Sequence, residues 1–137
     1  MTVAYLGLGS NVGDRARNLA EARRLLAERG ATVLRASRVR ETEPYGVTDQ
    51  PRFLNQVLEV WWDGRPRELL ETTRSIEVAV GRRPTYRWGP REIDVDILLF
   101  GKETVREPDL VIPHPGLRER PFVLEPLAEL RPDLMRP

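Results

Sequence analysis

The chain of 137 residues is about one domain long, and a hydrophobic content of 40% closes a single core but not two. Lys and Arg number 22 against 21 Asp and Glu, so the net charge of +1 excludes a protein whose work is coating nucleic acid or an anionic membrane; the absence of cysteine excludes disulfides, thiolate zinc sites and cysteine nucleophiles. No apolar run approaches the ~20 residues of a membrane helix and the start lacks the pattern of a signal peptide, so a soluble cytoplasmic protein is expected, whose only metal donors are oxygen and the single His114.

Val3 to Leu8 reads as a short, largely buried strand that runs into glycines at 7, 9 and 13. A helix follows from about Asp14 to Arg29, where Leu19, Ala22, Leu25 and Leu26 recur at helical spacing and Gly30 supplies the stop. Thr32 to Arg40 alternates imperfectly as one strand, and Glu41 to Arg52, with Pro44, Gly46 and Pro51, reads as loop. Phe53 to Trp62 is the clearest strand: Leu54, Leu58, Val60 and Trp62 share one face, Phe53, Asn55 and Val57 the other. Asp63-Gly64 turns the chain into a helix over about 66 to 80, opened by Pro66 and closed by Gly81. An arginine-rich loop, 82 to 91, leads to a strand from Ile93 to Phe100, then to proline-punctuated chain with a short helix near Leu124 to Leu130. The order β-α-β-β-α-β predicts one α+β domain over 1–137, a ferredoxin-like sandwich with helices on one face of an antiparallel sheet and a C-terminal extension.

On the last strand, Ile93, Val95, Ile97 and Leu99 are expected to enter the core, which turns Asp94 and Asp96 together to the other face, about 6.5 to 7 Å apart. Two like charges so placed require a cationic partner, either arginine or a divalent metal that also bridges phosphates. An isolated Asp-x-Asp is more often simply solvated, but here Arg82, Arg83, Arg87 and Arg91 precede it with no acid between Val78 and Arg91. Guanidinium forks suit phosphate oxygens, so the combination favours a multiply phosphorylated ligand over a solvated basic loop. Arg118, Arg120 and His114, the latter in a Pro-His-Pro turn, stand close by in sequence. Phe53 and Asn55 supply an aromatic surface and a two-way amide, which suit a flat heterocycle as well as they suit a core position. Gly7-Leu8-Gly9-Ser10-Asn11-Val12-Gly13 fails the dinucleotide fingerprint on spacing and is read as tight-turn glycine.

Gly7-Leu8-Gly9-Ser10-Asn11, Asp49-Gln50-Pro51 with Phe53-Leu54-Asn55, Arg87-Trp88-Gly89-Pro90-Arg91-Glu92-Ile93-Asp94-Val95-Asp96-Ile97 and Pro113-His114, in that order, resemble the 6-hydroxymethyl-7,8-dihydropterin pyrophosphokinases of folate biosynthesis over nearly the whole chain. The resemblance implies transfer of pyrophosphate from ATP to the pterin hydroxymethyl oxygen with release of AMP, by a monomer that takes ATP and the pterin as partners and two Mg²⁺ ions as cofactors. It implies Asp94 and Asp96 as metal ligands; Arg82, Arg91 and Asp96 as catalytic; Thr42, Pro44, Tyr45, Gly46, Phe53, Asn55 and Phe122 around the pterin; and Glu77, Arg82, Arg83, Trp88, Arg91, Ile97, His114 and Arg120 around ATP. Phe53 stands where many members carry Tyr, and Asp109 and Val111 where some place ATP-contacting Arg and Thr.

Two other functions fit a chain of this class. A ferredoxin-like RNA-binding module would use sheet aromatics and the arginine loop, yet no strand carries the closely spaced aromatics such modules need. A nucleotide sensor without turnover would not require the intact Asp94 and Asp96.

Overall fold

Alternating apolar positions build a five-stranded antiparallel sheet whose long strands are β1 (Thr2–Ser10), β4 (Phe53–Trp62) and β5 (Asp94–Phe100). With β2 (Thr32–Ala36), the order is β2-β4-β1-β5, and the three-residue β3 (Arg40–Thr42) pairs with the start of β4. A computed structural model describes residues 1–44, 46, 48–87 and 89–135. The α+β class and antiparallel sheet expected from the sequence are both present.

Helices α1 (Arg15–Glu28) and α2 (Pro66–Val80) lie on one face of the sheet. Asp14 caps α1 by accepting the Arg17 N–H at 3.1 Å. Pro66 opens α2, and Gly81, at φ +117°, closes it in the left-handed region that a side chain would resist. Between these helices and the sheet, Leu6, Leu58, Val60, Leu19, Leu26, Leu69, Ile76 and Phe100 are buried in the main core.

The other face is covered only in part. The C-terminal helix α3 (Pro121–Leu130), which starts three residues earlier than the sequence suggests, buries Leu127 and Leu130 against Tyr5, Val57 and Leu98. Around it, Tyr5 donates to Glu59, Arg35 binds both Glu59 oxygens at 2.7 and 3.0 Å, and Arg35 also reaches the Leu130 carbonyl at 3.0 Å. Arg131 lies 5.5 Å over the Tyr5 ring. Burial and the Glu59 carboxylate push the Tyr5 hydroxyl up, while Arg35 holds Glu59 below the usual carboxylate range against the effect of its burial.

Three expectations are corrected. The strand read over 32 to 40 breaks at 37 to 39, because the Ser37 hydroxyl accepts the Val57 N–H at 2.9 Å, a bond a backbone carbonyl would otherwise take. The alternation of β5 breaks as well. Tyr5 pairs with Leu99 but Leu6 with Ile97, so Leu98 is the extra residue of a bulge; Leu99 then joins Leu98 against the α3 cluster, and Phe100 takes the core position. Lastly, the proline-punctuated chain holds a hairpin, β6 (Val105–Glu107) with β7 (Leu110–Ile112), clamped to α2 where Arg67 grips Asp109 at 2.7 and 2.9 Å.

Glu59 carries a pH signature. Its carboxyl is lowered from 4.5 by folding, so its contribution is present above about pH 4.5 and is lost as the pH falls through the folded value. Glu59→Gln should cost about 1–3 kcal/mol at pH 7, and urea denaturation should show that gap closing as the pH is lowered through 4.5; a gap independent of pH would contradict the assignment.

Candidate active site

The half of the second sheet face that α3 leaves open forms a cleft of about 470 Å³. Its floor is set by pairing. Gly9 of β1 lies between Asn55 of β4 and Asp94 of β5, and Gly7 between Val57 and Asp96. Both glycines therefore sit within a strand rather than in a tight turn, and they clear a trough with the aspartates on one bank and Phe53 and Asn55 on the other. At Gly9 a Cβ would come 3.0 Å from Asn55 Oδ1 and 3.5 Å from the Phe53 ring, so a side chain there would crowd the amide that faces the trough.

Of the two aspartates, Asp94 has cationic partners. Arg82, where the chain leaves α2, places one guanidinium nitrogen 3.1 Å from Asp94 Oδ1 and 2.9 Å from Glu77 Oε2. Arg91 stands 3.6 Å from Asp94 Oδ2. Glu77 accepts the Val95 N–H at 2.9 Å, which satisfies a donor on the outer edge of β5 and holds the end of α2 against the strand. Burial pushes the Glu77 carboxyl up, and Arg82 opposes that shift.

Asp96 is served differently. Its side chain opens to the cleft over 45% of its surface, but the protein around it strips much of its hydration. That loss, followed by the charges of Asp94 and Glu77, pushes its carboxyl well above the usual carboxylate range against the pull of Arg91. Its nearest basic group is His114 Nε2 at 4.0 Å. His114 Nδ1 accepts the Gly116 N–H at 3.0 Å, which leaves the proton of the neutral ring on Nε2, facing Asp96. Burial and Arg120 lower the His114 pKa, so the neutral ring dominates at pH 7.

Asp94 and Asp96 offer four hard oxygen donors on one strand face. Among the described residues no cluster of three or more His, Asp or Glu stands ready to cage a metal alone. The donor set fits Mg²⁺, which commonly takes one or two carboxylates and completes its shell with water and ligand phosphate oxygens.

The cleft gathers most residues singled out from the sequence. Thr42, Phe53, Asn55 and Phe122 line one end, Asp94, Asp96, Arg82, Arg91, Glu77, His114 and Arg120 the middle. Asn55 donates through Nδ2 to Thr42 Oγ1, which turns its Oδ1 toward the glycine trough. Pro44, Gly46 and Arg83 do not line the cleft; Arg83 is exposed, with its N–H bound to Glu92 at 3.0 Å. Ile97 is buried in the main core, on the face away from Asp94 and Asp96. Tyr45 and Trp88 lie outside the described residues. The far end, beyond the edge of β5, is lined by Leu70 and Arg74, which the sequence did not single out for the site, and by Asp109, which stands where some family members place an ATP-contacting Arg. Arg74 stands 3.3 Å from Asp109, whose carboxyl Arg67 holds down to about 2. That pairing joins positions 35 apart, and only the hairpin brings them together.

Comparison with known proteins shows what the whole chain is similar to. Residues 5–132 match the family model described as 7,8-dihydro-6-hydroxymethylpterin-pyrophosphokinase (HPPK). A 2-amino-4-hydroxy-6-hydroxymethyldihydropteridine pyrophosphokinase of Bacillus subtilis is 48% identical over 129 residues, covering 93% of this chain and 77% of that protein. A protein of the same name from Methylorubrum extorquens is 49% identical over 136 residues, covering 98% and 86%. Among solved structures, Plasmodium falciparum HPPK-DHPS with SDX-DHP superposes with a TM-score of 0.73 at 17% identity, over 97% of this chain and 40% of that one; at that identity the likeness supports the fold.

Crowding three carboxylates around β5 costs stability. Asp96→Asn removes the charge with the least compensation, so without divalent cations at pH 7 its melting temperature should rise by a few degrees. Thermal denaturation checks this, and an unchanged or lower value would contradict the repulsion.

Proposed function

The chain belongs to the 7,8-dihydro-6-hydroxymethylpterin-pyrophosphokinase family, and on that basis we propose how its cleft carries out the family's reaction, the transfer of pyrophosphate from ATP to the hydroxymethyl oxygen of 6-hydroxymethyl-7,8-dihydropterin with release of AMP. The observation that carries the reading is the placement of Asp94 and Asp96, with Arg82 and Arg91, between the aromatic and amide end of one cleft and its far end. ATP and the pterin need such a three-part seat: a flat ring, a polyphosphate and a nucleoside.

Phe53 and Phe122 provide stacking surface for the pterin, and Asn55 Oδ1, freed by Gly9, provides an acceptor for its ring-edge donors. Thr42, bound to Asn55, fixes that amide's orientation. Leu70, Arg74 and Asp109 are left to the nucleoside end. Asp94 and Asp96 would hold two Mg²⁺ ions, which when bound supply charge neutralisation to the phosphates.

In the reaction the hydroxymethyl oxygen bonds to the β-phosphorus, the bond from that phosphorus to the α,β-bridging oxygen breaks, AMP leaves and the hydroxyl gives up its proton. Arg82 and Arg91 lie where charge develops on the transferred group and the leaving oxygen, and their ion pairs to Asp94 aim them before the substrate arrives. His114, neutral, contributes an Nε2–H donor on the same bank. The chain's principal task is to hold oxygen, phosphorus and leaving group in line while excluding water. We further propose that the catalytic unit is a monomer and that it resides in the cytoplasm.

Incubated with ATP, Mg²⁺ and 6-hydroxymethyl-7,8-dihydropterin, the protein should release AMP together with the pterin diphosphate, as resolved by nucleotide chromatography. ADP as the product, or no turnover, would contradict the reading. Arg82→Ala and Arg91→Ala should each lower kcat by roughly 10²–10³ with a smaller change in KM.

A further inference from the structure

The Gly7-Leu8-Gly9-Ser10-Asn11 run is only half used by the cleft: its glycines clear the floor, while Asn11 lies just past the end of β1 and is 2% exposed. We propose that Asn11 is a positioning residue that couples the phosphate bank to the pterin bank by bonding both loops that deliver them. The inference rests on the function proposed above and assigns a role to a residue that does not line the cleft.

The bonding is complete and two-sided. Toward the phosphate bank, Asn11 donates its backbone N–H to the Arg91 carbonyl at 3.1 Å, and its Oδ1 accepts the Arg91 N–H at 2.9 Å. These two bonds fix the backbone from which the Arg91 guanidinium reaches Asp94. Toward the pterin bank, Asn11 Nδ2 donates to Gln50 Oε1 at 2.8 Å and to the Pro51 carbonyl at 3.0 Å. Two residues later the chain enters β4 at Phe53, with Asn55 beyond.

The post itself is anchored. Ser10 pairs with Leu54 in the sheet, and Asn18 of α1 donates to Ser10 Oγ at 3.2 Å and to the Val12 carbonyl at 2.9 Å, on either side of Asn11. Only a carboxamide serves both sides at once, because it accepts with its oxygen and donates twice with its nitrogen. A carboxylate of the same shape keeps the acceptor for Arg91, sets acceptor against acceptor at the Pro51 carbonyl, and keeps Gln50 only if that amide rotates to donate its Nε2. When a polyphosphate draws on the Arg91 side chain, any shift of its backbone is passed through four hydrogen bonds on one residue to the segment entering β4. Linkage makes that coupling reciprocal.

The test is a binding cycle. Pterin affinity is measured by titration calorimetry with and without Mg²⁺ and α,β-methylene ATP, which cannot release AMP. In the unaltered protein the analogue should tighten pterin binding by roughly 5- to 150-fold. In Asn11→Asp that ratio should fall to within about twofold of unity, and in Gln50→Ala, which removes the Gln50 acceptor of Asn11 at a less buried position, it should fall at least about threefold. A merely structural role would weaken both affinities and leave the ratio alone, so the ratio separates the two, and melting temperatures confirm that each variant is folded. If Asn11→Asp does not fold, Gln50→Ala decides. A folded variant of either kind that keeps the unaltered ratio, or an unaltered protein whose ratio is one, overturns the inference. Absence of AMP production by the unaltered protein would instead overturn the function on which it rests, and the inference with it.

Discussion

Two carboxylates held on one face of one strand are the constraint around which the second face of this sheet is arranged. Asp94 and Asp96 cannot turn away from each other, because the neighbouring Val95 and Ile97 are buried on the opposite side. Arg82 and Arg91 approach Asp94 and leave Asp96 with a neutral imidazole for company. The protein therefore folds with an electrostatic demand unmet at the centre of its cleft, which under the proposed function a divalent cation carrying a polyphosphate would satisfy.

The fold makes room for this demand by dividing one sheet face in two. Over Tyr5, Val57 and Leu98 the face is packed by α3 and pinned by the Glu59 and Arg35 pair, and over Gly7 and Gly9 it is bare. The bulge at Leu98 lies where the two halves meet. It turns Leu98 and Leu99 together toward α3 directly after the last aspartate, so the packed half begins where the polar half ends. Removing the side chains from β1 alone opens the trough, since strands on either side bring both kinds of ligand group to its banks.

Much of this was legible in the chain. The alternation in Phe53 to Trp62 separates Leu54, Leu58 and Val60 from Phe53, Asn55 and Val57, and the structure keeps that division. The same logic turns Asp94 and Asp96 to one face, next to arginines of which Arg82 and Arg91 approach Asp94. What stayed hidden depends on partners distant in sequence. Leu99 changes face because β1 sets the register across from it, Ser37 interrupts its strand by bonding Val57, and Asp109 reaches the cleft because Arg67 clamps the β6-β7 hairpin to α2. Gly7 and Gly9 read as turn residues because no local signal says that aspartates and an asparagine will flank them; pairing alone reveals that their lack of side chains is what the site needs.

The proposed function requires the Asp94 and Asp96 bank to be a divalent-cation seat completed by a polyphosphate. Mn²⁺ binding in the presence of α,β-methylene ATP, followed by the paramagnetic relaxation of water protons, tests it most directly. The account predicts strong Mn²⁺ binding by the unaltered protein and a loss of at least about tenfold in affinity for Asp96→Asn; equal Mn²⁺ affinity in the two proteins would contradict it.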